Sequence, residues 1–149
     1  REDFNWTGAW APGDMDALQC DFSNMLSPEM FRKFALPELE RESDFMDYAI
    51  WHLDGTGEFR HLDDICAVKK INAIQWIDEQ RTVRGPEKFI EIWQKIRKKG
   101  KSLLFSIVTV DQAVELTRQL GPSGLAFTIV ELDSMSTMEK ALKKIKQAC

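Results

Sequence analysis

Tyr48-Ala-Ile-Trp-His-Leu-Asp-Gly55 is an apolar run that ends in a histidine, an aspartate and a glycine. In a β-strand, residues two apart point to the same side, so His52 and Asp54 would share one face at the strand's carboxyl end. That end is where α/β proteins place their chemistry. Apolar runs of similar length recur, and strands are expected at 18–22, 49–53, 73–77, 103–108 and 125–130.

Helix signals lie between these runs. Ser27-Pro28-Glu29 supplies an N-cap, a first-turn proline and a first-turn acid ahead of Met30, Phe31, Phe34 and Leu36. Pro37 is expected to kink or interrupt a helix that continues to about residue 46. Gly85-Pro86-Glu87 opens a helix whose Phe89, Ile90, Trp93 and Ile96 recur at helical spacing, and Trp93 should face the core. The basic stretch 97–101, with Gly100, reads as a solvated helix terminus. Capping boxes are expected at 109–112 and 136–139. Strand and helix alternate in units of roughly 25 to 30 residues, the pattern of βα units around a parallel sheet.

Composition narrows the class. At 149 residues, 44% hydrophobic and 30% charged, the chain fits one ordinary domain. A formal charge of -4 gives no broad basic field, which argues against nucleic acid as the main partner. No apolar run approaches the roughly 20 residues of a membrane span, no signal peptide opens the chain, and a cytoplasmic location is expected. Cys20, Cys66 and Cys149 are odd in number and widely spaced, which favours reduced thiols. No glycine-rich phosphate fingerprint or Walker sequence follows a strand, which argues against a nucleotide-binding Rossmann domain. The chain begins at Arg1 rather than methionine, as a processed protein or a piece of a longer one would.

Several polar and aromatic residues are candidates for function. Asp21, at the end of the first expected strand, could orient a substrate amine or hydroxyl or act as a general base; an Asx-turn cap is the structural alternative. Of Gln75 and Trp76, one must point to the strand-end space, and both are candidates for substrate binding. Trp6 and Trp10, in a Gly/Pro-rich loop, could close as a lid over an aromatic, methoxylated or sugar-like substrate. His61 should pack near Asp63 rather than ligate, and Cys20 and Cys66 should be core.

The segments Leu18-Gln-Cys-Asp-Phe-Ser-Asn-Met-Leu-Ser-Pro-Glu-Met-Phe31, Leu36-Pro-Glu-Leu39, Trp51-His-Leu-Asp-Gly55, His61-Leu-Asp63 and Ala73-Ile-Gln-Trp76 together resemble the uroporphyrinogen decarboxylase superfamily, which includes the corrinoid-linked methyltransferases. The resemblance covers nearly all of this chain but only the C-terminal half of the family's. It implies a single partial domain over 1–149: the C-terminal half of a (β/α)8 TIM barrel, about four or five βα units. Such a half would pair with a missing N-terminal half or with itself.

The resemblance also assigns roles. Asp21 matches an acidic position that faces the pocket. In the methyltransferase branch the strand end bearing His52 carries His-x-Cys, and a later cysteine completes a zinc site. Here Asp54 stands in place of the first cysteine, and Glu131 ends the last expected strand. The alternative ligand set for zinc is therefore His52, Asp54 and Glu131. The implied activity is transfer of a methyl group between a small substrate and a thiol or a corrinoid carried by a partner protein. Asp21, His52 and Asp54 would be the catalytic residues. The alternatives are a non-catalytic barrel holding a tetrapyrrole or sugar-like ligand, a decarboxylase-type lyase, and a glycosidase-like barrel using a carboxylate pair. The arginine-rich motifs of the decarboxylase belong to the family's N-terminal region.

Overall fold

Two short strands, β1 (Asp3–Phe4) and β2 (Trp10–Ala11), form an antiparallel hairpin. Five longer ones follow: β3 (Met15–Gln19), β4 (Tyr48–Asp54), β5 (Ile71–Ile77), β6 (Ser102–Val108) and β7 (Leu125–Ile129). These five lie side by side in chain order, every neighbouring pair parallel. The computed structural model describes residues 3–77, 85–130 and 132–149.

Parallel neighbours need a crossover, and helical segments supply it. Between β3 and β4 run a 3-10 turn (Asp21–Met25), α1 (Pro28–Met30), a π turn (Phe31–Ala35) and α2 (Leu36–Ser43). A second 3-10 turn (Thr56–His61) and α3 (Leu62–Ala67) precede β5. A third (Pro86–Phe89) leads into α4 (Ile90–Lys98), and α5 (Val110–Leu120) and α6 (Met135–Lys146) follow β6 and β7.

All these helices pack on one face. Phe31 and Leu39, Leu62 and Ile65, Trp93 and Ile96, and Ala113 and Leu116 join Trp51, Leu53, Ile74, Trp76, Leu103 and Phe105 in one apolar cluster. A doubly wound sheet carries helices on both faces, whereas a barrel wall carries them only outside. The five strands are therefore part of a (β/α)8 barrel. Trp93 is the centre of its outer layer: fully buried, it meets Phe59, Trp76, Phe89 and Phe105, and its Nε1–H donates to the Pro86 carbonyl at 2.6 Å.

The inner face is apolar at its amino end, where Met15, Ala17 and Ile50 pack with Ala9 and Ala11 of the hairpin. Both edges of the sheet, β3 and β7, are unpaired by any described strand. Beside β3 runs a groove of about 460 Å³ lined by Phe22, Leu26, Met30, Phe34 and Leu39 among others, and Phe22 and Phe34 are exposed.

Several expectations shift. The first strand is Met15–Gln19 rather than 18–22, because Cys20 leaves extended geometry and Asp21 opens a 3-10 turn. The helix passes Pro37 without stopping: the Leu36 N–H reaches back to the Phe31 carbonyl, widening one turn where proline has no donor to offer. The second capping box uses Ser134 and Thr137, not 136–139, whereas the box at Thr109 and Gln112 forms as expected. Lys101 is not solvated: it is buried and donates to the Val68 and Ile71 carbonyls at 2.9 and 2.6 Å. The loop expected to hold Trp6 and Trp10 is the hairpin, whose turn is closed by Asn5 accepting from the Thr7 backbone N–H and hydroxyl.

Trp93→Ala should destabilise the chain by about 3–5 kcal/mol in urea unfolding, since it empties the centre of the outer layer. Trp10→Ala, at an exposed ring, should change stability by no more than about 0.5 kcal/mol.

Candidate functional site

Strand register brings the polar residues together at the carboxyl ends. His52 on β4 stands opposite Gln19 on β3 and Gln75 on β5. With Trp51 and Leu53 in the helix-side core, His52 and Asp54 alternate onto the inner face, and on β5 Gln75 does so between the buried Ile74 and Trp76.

A chain of hydrogen bonds crosses three strands there. The His52 Nδ1–H donates to Gln75 Oε1 at 2.6 Å, and Gln75 Nε2 donates to Ser106 Oγ at 2.8 Å. The Gln75 amide, with its NH2 turned to Ser106, can offer only its oxygen to the imidazole. Neutral His52 therefore carries its proton on Nδ1 and keeps its Nε2 lone pair free of Gln75. Trp6 meets the same imidazole edge to face, with ring centroids 5.3 Å apart.

Ser106 faces inward by regular alternation after Phe105, and a backbone irregularity follows it. Phe105 and Val108 both enter the helix-side core although they are three residues apart, which a regular strand forbids. The register shift between them is taken up at Ile107, whose φ of 62° is a left-handed conformation rare for a β-branched residue. Such strain concentrates at functional sites.

Carboxylates flank the imidazole. Burial raises the Asp54 carboxyl above its usual range and the charge of Asp21 adds to this, while His52 acts in the opposite direction. Asp21 is exposed on the 3-10 turn after β3, close enough for that charge to be felt. Asn24, on the same turn, donates to the Asp54 carbonyl. The two loops touch so closely that a Cβ on Gly57 would collide with the Asn24 side chain.

Behind the mouth lies a second polar group. Glu58 is fully buried and accepts from the Ser23 hydroxyl at 2.5 Å and from Trp51 Nε1–H at 3.1 Å. Burial pushes its carboxyl up to about 7, although these two donors and a hydrogen bond from the Asp54 backbone favour the charged form. His61, also fully buried, stacks on Phe31 at 4.3 Å and donates through Nε2–H to the Ser23 carbonyl at 3.0 Å. Burial holds its pKa below the usual value.

The expected site residues divide accordingly. Asp21, His52, Asp54, Gln75 and Trp6 gather at the mouth. Trp76 does not: alternation turns it to the outer layer against Phe89 and Trp93, 2% exposed. Trp10 is also elsewhere, because the hairpin carries it toward the strands' amino ends, where it lines a hollow with Met15, Tyr48, Ile50 and Leu104. Trp6 and Trp10 thus form no common lid. Glu131 lies outside the described residues. Among the described residues no three His, Cys, Asp or Glu side chains group closely enough to hold a metal ion. His52 and Asp54 supply two donors of the expected zinc set, whose third member is Glu131. No helix among the described residues is long and apolar enough to cross a membrane.

Ser106 and Glu58 were not anticipated. The signal for Ser106 is a lone hydroxyl inside the apolar strand Leu103-Leu-Phe-Ser-Ile-Val108. Glu58 has no such signal, since its partners lie on other elements.

No protein-family model matches the chain, and no curated protein does. A solved structure of D-psicose 3-epimerase, determined in the presence of D-fructose, matches with a TM-score of 0.52 and 13% sequence identity. The match covers 89% of this chain and 59% of that one. The chain thus spans well under two thirds of that barrel enzyme's length, and the likeness is one of fold.

The tautomer of His52 is directly measurable. Nitrogen-15 NMR should show a protonated Nδ1 and an unprotonated Nε2 for neutral His52, and Gln75→Leu, which removes the acceptor, should populate the other tautomer.

Proposed function

We propose that this chain is part of a barrel enzyme that transfers a methyl group between a small substrate and a thiol or a partner's corrinoid, with the substrate held over His52. The observation that carries this reading is the His52–Gln75–Ser106 chain, which engages Nδ1 and leaves the Nε2 lone pair free of Gln75, beside an Asp54 carboxyl that burial raises above its usual range. The resemblance of the segments around Asp21, His52 and Gln75 to the decarboxylase superfamily supplies the reaction class.

The residues suit the protons such a transfer must move. When a methyl group leaves an oxygen or nitrogen for a thiol, the carbon–heteroatom bond breaks and a carbon–sulfur bond forms. The leaving heteroatom keeps the bonding pair and needs a proton, while the thiol gives one up. Asp54 donates the first and His52 Nε2 accepts the second. Gln19, Gln75 and Asp21 orient the substrate by hydrogen bonds, and Trp6 supplies an apolar wall. The negative charge of Asp21 suits a hydroxyl- or amine-bearing substrate better than a tetrapyrrole's carboxylates.

The activity would belong to the completed barrel. The open edge of β3 and the apolar groove beside it support pairing with a missing N-terminal half or with a second copy. In the complete polypeptide, transfer of isotopically labelled methyl from methanol, methylamines or methoxylated aromatics to a thiol or corrinoid acceptor should be detectable. Asp54→Asn should lower kcat about 10²–10⁴-fold with little change in KM. Wild-type turnover in both Asp54→Asn and His52→Ala would overturn the assignment. Binding of these probes without any turnover would favour the non-catalytic barrel.

A further inference from the structure

The loops after β3 and β4 carry Asp21 and Asp54, and they are joined by groups that the proposed chemistry does not use. Ser23 lies at the centre of the joint: its hydroxyl donates to Glu58 and its carbonyl accepts from His61. Glu58 also holds the indole of Trp51, which lies three residues before Asp54 on β4. Asn24 ties the same turn to the Asp54 carbonyl. A single buried carboxyl thus bridges the turn that begins at Asp21 and the strand that ends at Asp54.

We propose that Glu58 is a proton-sensitive positioning residue: as a neutral acid it staples the Asp21 turn to the Asp54 strand end, and on ionising it loosens the staple and shifts the two mouth carboxylates relative to each other.

The surroundings explain why ionisation would matter. The hydrogen-bond partners of Glu58, which are the Ser23 and Trp51 side chains and the Asp54 backbone, are all neutral. From β4 the Asp54 charge opposes a second negative charge. At the end of β3, Cys20 feels Glu58 together with Asp21 and with Glu42 of α2. On Glu58's own turn, Arg60 directs its guanidinium to the Gly57 carbonyl, and burial disfavours the charged form of His61, with Asp64 of α3 only a lesser influence. An ionised Glu58 is therefore fully buried among neutral donors and acidic neighbours, and because the cost of burial outweighs what the donors return, ionisation favours admitting water and opening the joint.

The pH direction follows. Glu58 rises from an ordinary 4.5 to about 7 in the folded chain. Folding therefore favours its protonated form. The associated stability is complete below the unfolded value and is lost as pH rises through the folded one. The switch thus operates around neutral pH, with the closed joint on the acid side.

The test is NMR on the 149-residue chain between pH 5.5 and 8.5, with no substrate present; its failure leaves the methyl-transfer reading standing, and the converse holds. The carboxyl carbon of Glu58 should titrate with a midpoint near 7. The Trp51 indole N–H, assigned by its loss in Trp51→Phe, should shift with the same midpoint. So should the backbone amides of Asp21, Asn24 and Asp54. Glu58→Gln can keep both contacts, its oxygen accepting from Trp51 and its amide donating to Ser23 Oγ, and it should abolish the shared midpoint. The proposal fails if the Glu58 carboxyl titrates in the ordinary range, if the loop amides do not follow it, or if Glu58→Gln retains the midpoint. The carboxyl and amide titrations in the unmodified chain decide the matter even if the variant does not fold.

Discussion

Period-two alternation in a parallel strand is the constraint on which the rest of this molecule depends. With helices on only one side of the sheet, each strand must send one set of side chains into an apolar outer layer and the other toward the barrel axis. Trp51, Leu53, Ile74 and Trp76 meet the first demand, and His52 and Gln75 are thereby committed to the second. The site is a by-product of core packing: no loop has to fold over to bring His52, Gln75 and Ser106 together, because register on three neighbouring strands does so. Such a constellation sits on the stiffest part of the fold, which favours preorganised chemistry.

Two places break the local rules, and both adjoin the mouth. Ile107 takes a left-handed backbone conformation at the end of β6, letting Val108 regain the core after Ser106 has turned inward. Glu58 buries a carboxyl where an apolar residue would pack with less risk. The first re-aims a strand end; the second ties two loops that regular structure would leave independent. In each case the departure costs stability and yields a fixed relation between groups that come from different βα units.

Much of this was legible from residue pattern. Four of the five sheet strands were anticipated to within a couple of residues, because apolar runs of strand length bounded by caps and glycines leave little ambiguity. The pairing of His52 with Asp54 on one face required only alternation. Where anticipation failed, the reason lay in non-local contacts. Trp76 looked equivalent to Gln75 until the position of α4 made it core. Trp6 and Trp10 looked like one unit because nothing in the sequence marked a hairpin with a turn closed by Asn5. Lys101 looked like the tail of a basic helix end, but the carbonyls of Val68 and Ile71 were waiting for its ammonium group. The slip of the first strand, from 18–22 to Met15–Gln19, arose because the apolar Leu18 and Phe22 bracket a chain reversal, so hydrophobicity did not mark the boundary.

The π turn at Phe31–Ala35 bears on how this segment tolerates change in length. Phe31 and Leu39 are eight residues apart, which on an unbroken α-helix of about 3.6 residues per turn would leave them roughly 80° out of line. One extra residue absorbed in the wide turn reduces the mismatch to roughly 20°, and both side chains point into the outer layer. Deleting one residue between Phe31 and Leu36 would remove the wide turn and leave Phe31 and Leu39 seven regular residues apart, still within roughly 20° of each other, whereas inserting one would rotate everything beyond it by about 100° and carry Leu39 out of the core. This stretch should therefore accept the loss of one residue more readily than the gain of one, even though much of its surface lies open to solvent. The wide turn is thus a reserve of length that works in one direction only.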